Sequence, residues 1–368
     1  MRILELAVEG WRNLAPLKLM PAERLSVLFG DNGQGKTNVL EAAYYLAALR
    51  SFRTTHAEDL IQRGAPSGRA RLRAELVHRG LQRRFEIEVG PGGRTARLDG
   101  KLVRSTAAAL GSMSVVLFVP EDLLLPRAAP AARRRFLDLA TFNVERTYYA
   151  EASAFQKVLR NRNALLKRRD WDSTLLDAFD DELARTGARV VMRRRALASA
   201  LAPRFAEHFR ALHGGLPVSL AYRSDPTVEA AADEEGVRGA LLRGLIERRP
   251  LDERRRFTGF GPQADDLEIG LSGLLARTHA SQGQLRSLML ALKLAELTEV
   301  SARLGDPPIL LLDDVPSELD PSRRSLLFEV ITKLDCQTLI SVTEREIVPA
   351  RTDRLDFQVR AGKLAAVG

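Results

Sequence analysis

Cysteine is almost missing from these 368 residues. Cys336 stands alone, so neither an internal disulfide nor a cysteine-built zinc site can form. The five histidines are scattered, none at metal-ligand spacing, which removes the other common route to a zinc or transition-metal centre. No run approaches 18 consecutive apolar residues, so a membrane-spanning helix is not expected. The opening stretch MRILELAVEGWRN carries charges where a signal peptide needs an unbroken apolar segment. No export is expected, and a reducing cytoplasm fits. Lysine is scarce as well: 8 residues against 48 arginines.

What is present is globular in kind. Hydrophobic residues make up 45% and charged residues 28%, and the length allows about two domains. The 56 basic residues exceed the 47 acidic ones, for a formal net charge of +9 that admits an anionic partner without naming one.

Periodicity divides the chain in three. The first part reads as strand: Ile3–Val8 and Leu25–Phe29 are short apolar runs, Arg71–His78 and Gln82–Val89 alternate, and Asp99-Gly100 is a hairpin turn signal. From about 130 to 214, apolar residues such as Phe155, Val158, Leu159, Leu165 and Leu166 recur at helical spacing. Strand–helix–strand patterning then returns, most clearly at Ile309–Leu312 and Thr338–Val342. The expectation is one α/β domain built from 1–125 with 255–368, and a mainly helical, arginine-rich lobe inserted at 126–254. Sustained heptads are absent, so no long coiled coil is expected.

Three local patterns carry chemistry. Gly30-Asp31-Asn32-Gly33-Gln34-Gly35-Lys36-Thr37 fits G-x-x-x-x-G-K-[ST], follows an apolar strand and opens a helix. Its glycines let backbone N–H groups curl around phosphates, Lys36 reaches the β/γ-phosphates, and the Thr37 hydroxyl suits Mg²⁺. Second, the apolar run Ile309–Leu312 ends in Asp313-Asp314. Such a pair permits division of labour, with Asp313 on the metal side and Asp314 orienting or deprotonating the attacking water. A plainer reading is a strand ending in a solvated helix cap. Third, Ala280-Ser281-Gln282-Gly283-Gln284 precedes an amphipathic helix, which makes either an anion site or an ordinary N-cap.

Taken in order, these patterns resemble the ABC-type ATPases and, more narrowly, the RecF family of recombination mediators. The blocks GDNGQGKTN, LRSFRTTHAEDLI (49–61), FVPEDLLLPRAAPAARRRFLD (118–138), GPQADDLEI (261–269), ASQGQLRSLMLALKLAE (280–296) and ILLLDDVPSELDPSRR (309–324) carry the likeness. The resemblance implies an ABC-type P-loop head and an ATP-dependent DNA-binding protein of replication, recombinational repair and the SOS response. It implies ATP and Mg²⁺ as ligands, a homodimer with ATP sandwiched between subunits, and slow DNA-stimulated hydrolysis. RecR, RecO and RecA are the implied pathway partners, with RecA loaded at single-stranded gaps. Gly30 through Asn38 would hold the nucleotide, Thr37 and Asp313 the metal, and Lys36 and Asp314 would be catalytic. Ser281, Gly283 and Gln284 would close on the other subunit's ATP, and Asp320 would lie in the dimer-contacting loop.

The chain departs from the pattern at three places. No histidine follows the strand Leu339–Val342, where many ABC ATPases carry a switch residue; Thr343 stands there. Gln263-Ala264 replaces a histidine–arginine pair, and Glu121 falls where a glutamine is usual.

For DNA, residues 127–195 carry 16 basic and 9 acidic side chains. Arg133, Arg134, Arg135, Lys167, Arg168 and Arg169 are the candidate contacts to duplex backbone. A solvated helical face is the plainer reading of each run. Two other functions stay open on sequence alone: a transport-type ABC subunit, and a scaffold that binds ATP only as a structural ligand.

Overall fold

A computed structural model describes residues 1–104, 113–168 and 173–367. The chain folds as two compact units, one from residues 1–123 and 296–368, the other from 124–295.

The first unit holds two sheets. In the sheet made by β1 (Arg2–Glu9), β2 (Leu17–Leu19), β4 (Ala70–His78), β5 (Leu81–Gly90), β6 (Gly93–Leu98) and β7 (Lys101–Leu102), all pairs are antiparallel, in the order β2-β1-β4-β5-β6-β7. Leu72, Ala74 and Leu76 of β4 alternate inward with outward Arg71, Arg73 and Glu75, as one covered face requires. Asp99 and Gly100 both take positive φ (51° and 78°) in the tight turn between β6 and β7.

The second sheet draws its strands from distant parts of the chain. Its order is β15-β14-β3-β13-β12-β8, from β3 (Leu25–Phe29), β8 (Val115–Phe118), β12 (Ile309–Asp313), β13 (Thr338–Val342), β14 (Arg354–Arg360) and β15 (Lys363–Val367). The five strands from β14 to β8 run parallel, and β15 returns antiparallel. Every residue of β12 and β13 is buried, which explains why neither strand alternates between buried and exposed positions. Helix α1 (Lys36–Ala48) packs against strands of both sheets, and Val39 through Ala47 are all buried. Two apolar faces around one helix form the core of this unit.

The second unit is built on four helices: α2 (Pro130–Val144), α3 (Tyr148–Leu166), α4 (Ser173–His213) and α5 (Glu234–Arg255). At 41 residues, α4 is its longest helix. A small antiparallel sheet accompanies them, ordered β11-β10-β9, from β9 (Val218–Arg223), β10 (Asp266–Leu271) and β11 (Leu274–Leu275). Inside, the Arg162 guanidinium is fully buried and reaches Asp180 at 2.6 Å, Asp252 at 2.8 Å and Thr258 at 2.8 Å, tying α3, α4 and α5 together. Leaving Asp252 without that cation would cost about 3–5 kcal/mol, whereas Asp180 also holds Arg249 at 2.6 Å.

The second boundary between the units differs from the expected one. Residues 255–295 cluster with the helices because β10 pairs along its length with β9, Asp266 takes Arg133, and the Tyr222 hydroxyl donates to Asp265. The boundary falls inside helix α6 (Gln282–Leu304), which the amphipathic pattern shows only as one continuous helix.

Candidate nucleotide site

The loop between β3 and α1 needs glycine at defined points. Gly30, Gly33 and Gly35 have φ of 142°, 79° and 115°. A Cβ on Gly30 would sit 2.5 Å from the Val359 carbonyl oxygen, and one on Gly35 would sit 2.9 Å from a Leu14 methyl. The resulting loop turns its backbone around the start of α1, where the helix dipole favours an anion. Lys36 is 6% exposed, and its Nζ donates to the carbonyls of Gly30 at 2.5 Å and Asp31 at 2.9 Å. Burial lowers its pKa, while Asp314, Asp313 and Asp31 pull the other way.

A hairpin braces the loop from behind. Ala361 and Gly362, both at positive φ, turn β14 into β15. The Gly362 N–H donates to the Gln34 carbonyl at 2.9 Å, and the Ala361 N–H donates to Gln34 Oε1 at 2.7 Å. Gly362 in turn accepts from the Ala15 N–H at 3.0 Å. Sequence reasoning missed this brace.

The two acids at the end of β12 take different positions. Asp313 is 8% exposed, and its Oδ1 accepts from Thr37 Oγ1 at 2.8 Å and Ser341 Oγ at 2.6 Å. Burial raises its pKa against these two hydrogen bonds. Asp314 turns away in a left-handed conformation (φ 53°), held by its own N–H on Ser341 Oγ at 3.0 Å and by Ser317 Oγ on its Oδ1 at 2.6 Å. Adjacent carboxylates thus divide into a buried one beneath the loop and a half-buried one lining the cleft.

That cleft, about 980 Å³, is lined by Asn32, Gly33, Gly35, Lys36, Thr37 and Asn38 together with Asp314 and Ser341. Its other wall comes from residues not singled out in the sequence. Arg12 is fixed by a bidentate pair with fully buried Glu41, at 2.8 and 2.7 Å. Arg53 donates to Asn38 Oδ1 at 2.7 Å, and Asn38 itself donates to Asn13. Exposed Arg63 completes three guanidiniums around one opening. Arg53 lies in the block 49–61, the one signal that could have found it. The carboxylate, hydroxyls and ammonium gathered here are hard oxygen donors and cations, a set suited to Mg²⁺ and a polyphosphate and unsuited to softer metals. Among the described residues, no group of three or more His, Cys, Asp or Glu converges as a metal cluster.

The Ser281 turn lies in the other unit. Ser281 caps α6 through a reciprocal box: Gln284 N–H donates to Ser281 Oγ at 3.2 Å, and Ser281 N–H donates to Gln284 Oε1 at 2.8 Å. Ser281 is exposed, so the start of this helix faces solvent with its cap already made. Below it, Ser287 Oγ donates to the Gly283 carbonyl at 3.1 Å and meets His213 Nε2 at 2.9 Å. Asp320 caps the next helix, α7 (Pro321–Leu334), accepting from the Arg323 N–H at 3.0 Å.

The candidate DNA contacts separate sharply. Arg133 is 2% exposed and forks onto Asp266, at 2.7 Å and through its second nitrogen at 2.6 Å. A guanidinium held this way braces α2 against β10 and cannot also grip a phosphate, which corrects the expectation for that residue. Arg134 donates to the Asp265 carbonyl at 2.6 Å and is half-buried. Arg135, Lys167 and Arg168 are exposed. Arg169 lies outside the described residues.

No helix among the described residues is long and apolar enough to cross a membrane. The family model described as "RecF/RecN/SMC N terminal domain" matches residues 2–360. Curated relatives include a DNA replication and repair protein RecF from Anaeromyxobacter sp. (strain Fw109-5), 41% identical over 369 residues that cover 99% of each chain. Another, of the same name from Myxococcus xanthus (strain DK1622), is 38% identical over 99% of this chain and 97% of its own. Among solved structures, the recombination mediator protein RecF-ATP in the RecFOR pathway superposes with a TM-score of 0.91 at 29% identity, covering 100% of this chain and 97% of that one. An Smc head bound to the C-winged helix domain of ScpA, at 15% identity and a TM-score of 0.58, shares the fold. The α/β ABC-type head without a long coiled coil, expected from the sequence, is therefore the fold of this chain.

Proposed function

The chain belongs to the RecF/RecN/SMC family, and from that premise we propose an ATP-dependent DNA-binding protein of replication and recombinational repair. Residues 30–38 hold the triphosphate. Lys36 exchanges the Gly30 and Asp31 carbonyls for the β/γ-phosphates, and Arg12 and Arg53 flank the same cleft. Thr37 and Asp313 would hold Mg²⁺, which would supply neutralisation of the phosphate charge. Asp314, turned into the cleft, orients the attacking water and takes its proton.

Slow turnover follows from the residues available. Thr343 stands where a histidine would assist the water, so Asp314 works without that partner. Ser281, Gly283 and Gln284 of one subunit close on the ATP of a second, with Asp320 in the contacting loop. Their exposed, pre-capped helix start supports this reading, because no rearrangement is needed to present it. ATP drives dimerisation and clamping on DNA, and DNA-stimulated hydrolysis releases it. In this reading the clamp works with RecR and RecO to assist RecA loading at single-stranded gaps, in the cytoplasm.

The observation that carries the reading is the contact of Thr37 with Asp313 beneath the glycine loop, since it joins the two halves of an Mg-nucleotide site. Sedimentation with ATP and with ADP, with and without duplex DNA, tests it. ATP-specific dimers that bind duplex are expected. A monomer in every nucleotide state would overturn the clamp. Dimers that bind ATP and release no phosphate with DNA and Mg²⁺ would make ATP a structural ligand.

A further inference from the structure

Between residues 127 and 195 most of the positive charge is consumed inside the second unit. Arg162 and Arg194 are buried in ion pairs, as is Arg133, and Arg193 pairs with Glu145 and Glu151. Arg127, Arg134 and Arg195 donate to backbone carbonyls. Among the described residues, five cations escape this pattern: Arg135 on α2, and four that share one face of α3. Lys157, Arg160, Lys167 and Arg168 are exposed, and none forms a hydrogen bond or ion pair through its side chain among the described residues.

The helix explains their alignment. Phe155, Val158, Leu159, Arg162, Leu165 and Leu166 are buried, which turns Ser153, Lys157, Arg160, Ala164 and Lys167 outward at spacings of three and four. Lys167 keeps helical dihedrals (φ −80°, ψ −18°), and the Arg168 N–H donates to the Leu165 carbonyl at 2.9 Å, so the face continues to Arg168. No acid occurs between Glu151 and Asp170. Lys167 and Arg168 have a local reason to be basic, since a helix C-terminus favours cations. Lys157 and Arg160, in the middle of the helix, have none.

We infer that this face of α3 is a binding surface for the sugar-phosphate backbone of duplex DNA; the inference rests on the DNA-binding reading and gives it an address. The chemistry selects the occupant. The outward residues between the cations are Ser153, Ala154, Gln156, Asn161 and Ala164. Among the described residues, that face has no large apolar side chain to enter a lipid surface or anchor a protein interface, and no aromatic on which a base could stack. Small residues allow close approach, and two amides add donors for phosphate and sugar oxygens. From Lys157 to Arg168 the helix rises about 16 Å at ~1.5 Å per residue, the axial length of roughly five phosphates of one strand.

The test uses the full chain with all four changed, K157E/R160E/K167E/R168E, beside a control of equal charge change on the first unit, K18E/K101E/R104E/K333E. Binding to a labelled duplex is followed by anisotropy with ATP and Mg²⁺ between about 50 and 200 mM salt. At about 150 mM, the α3 variant is expected to bind at least about tenfold more weakly than the control. Its slope of log K on log salt should be shallower by roughly 3 to 4, about one for each lost phosphate contact. Melting temperature and ATP affinity should match those of the control, and the glutamine version, K157Q/R160Q/K167Q/R168Q, guards against misfolding by reversed charge. If the α3 and control variants share one affinity and one slope, the address is wrong while DNA binding stands. If the unaltered chain binds no duplex in any nucleotide state, the functional reading itself falls.

Discussion

Thr37 donates its hydroxyl to Asp313 Oδ1 at 2.8 Å across 276 positions of sequence. Ser341 donates to the same oxygen from the neighbouring strand. Asp313→Asn preserves the shape and keeps an acceptor for both hydroxyls, while removing a buried charge. The expected outcome is a roughly 10- to 100-fold loss of Mg²⁺-dependent hydrolysis with an unchanged or raised melting temperature. Parallel Mg²⁺ titrations of phosphate release and thermal unfolding check it. Hydrolysis at the original rate would remove Asp313 from the metal site.

Lys36→Arg and Ser281→Arg should fail differently. The Lys36 ammonium sits in a nearly closed niche against two carbonyls, and a planar guanidinium does not fit that niche. ATP binding is expected to survive largely, with hydrolysis down by at least about tenfold. Ser281 is exposed on the other unit. Its change to arginine should leave ATP affinity within about twofold and abolish ATP-driven dimers in sedimentation. Identical defects in the two variants would contradict the division of roles.

Gly362→Ala tests the brace behind the phosphate loop. A Cβ there would lie 2.1 Å from the Asn13 carbonyl oxygen, at a backbone φ of 73° that alanine disfavours. A destabilisation of about 1–3 kcal/mol is expected. Because Gly362 and Ala361 both bond Gln34, nucleotide affinity should fall as well, read by calorimetry below the unfolding temperature. Destabilisation with unaltered affinity would show that the hairpin supports the sheet alone.

Burial raises the pKa of Asp265 from its ordinary 3.8 to about 6, against the hydrogen bond from the Tyr222 hydroxyl, which pulls it down. In that window the folded chain holds a proton that the unfolded chain releases, so this group's contribution makes stability fall as pH rises from about 4 to 6. Above pH 6 the full cost is present, at most about 3 kcal/mol for a shift of roughly two units. Asp265→Asn should therefore flatten this part of the pH profile and be the more stable form near pH 7. Denaturant titrations at a series of pH values measure it, and parallel profiles for the two proteins would count against the assignment.

Contiguous features were legible in the sequence, and features assembled from distant segments were not. Gly30–Thr37 and Asp313-Asp314 each announce themselves within a few residues, β12 appears as an apolar run closed by Asp313, and β13 as a short strand of Leu339, Ile340 and Val342 interleaved with Thr338 and Ser341. Ser341 looks like any strand serine until β13 is laid beside β12, and Arg12 gains meaning only against Glu41. The β14–β15 hairpin turns on Ala361-Gly362, which lacks the asparagine or aspartate that marks such turns. The arginine runs misled for the same reason: Arg133 belongs to Asp266, a pairing 133 positions apart.

The strand carrying the phosphate loop, β3, lies between β13 and β14, so both its neighbours come from residues 338–360. During synthesis Val27, Leu28 and Phe29 therefore emerge without a sheet to join, while residues 124–295 are complete well before those partners exist. The ribosome thus releases a finished helical unit attached to an unfinished head, with apolar strands open to aggregation and in need of chaperone cover. A message cut anywhere between codons 38 and 338 would encode the whole glycine loop and yield no nucleotide pocket.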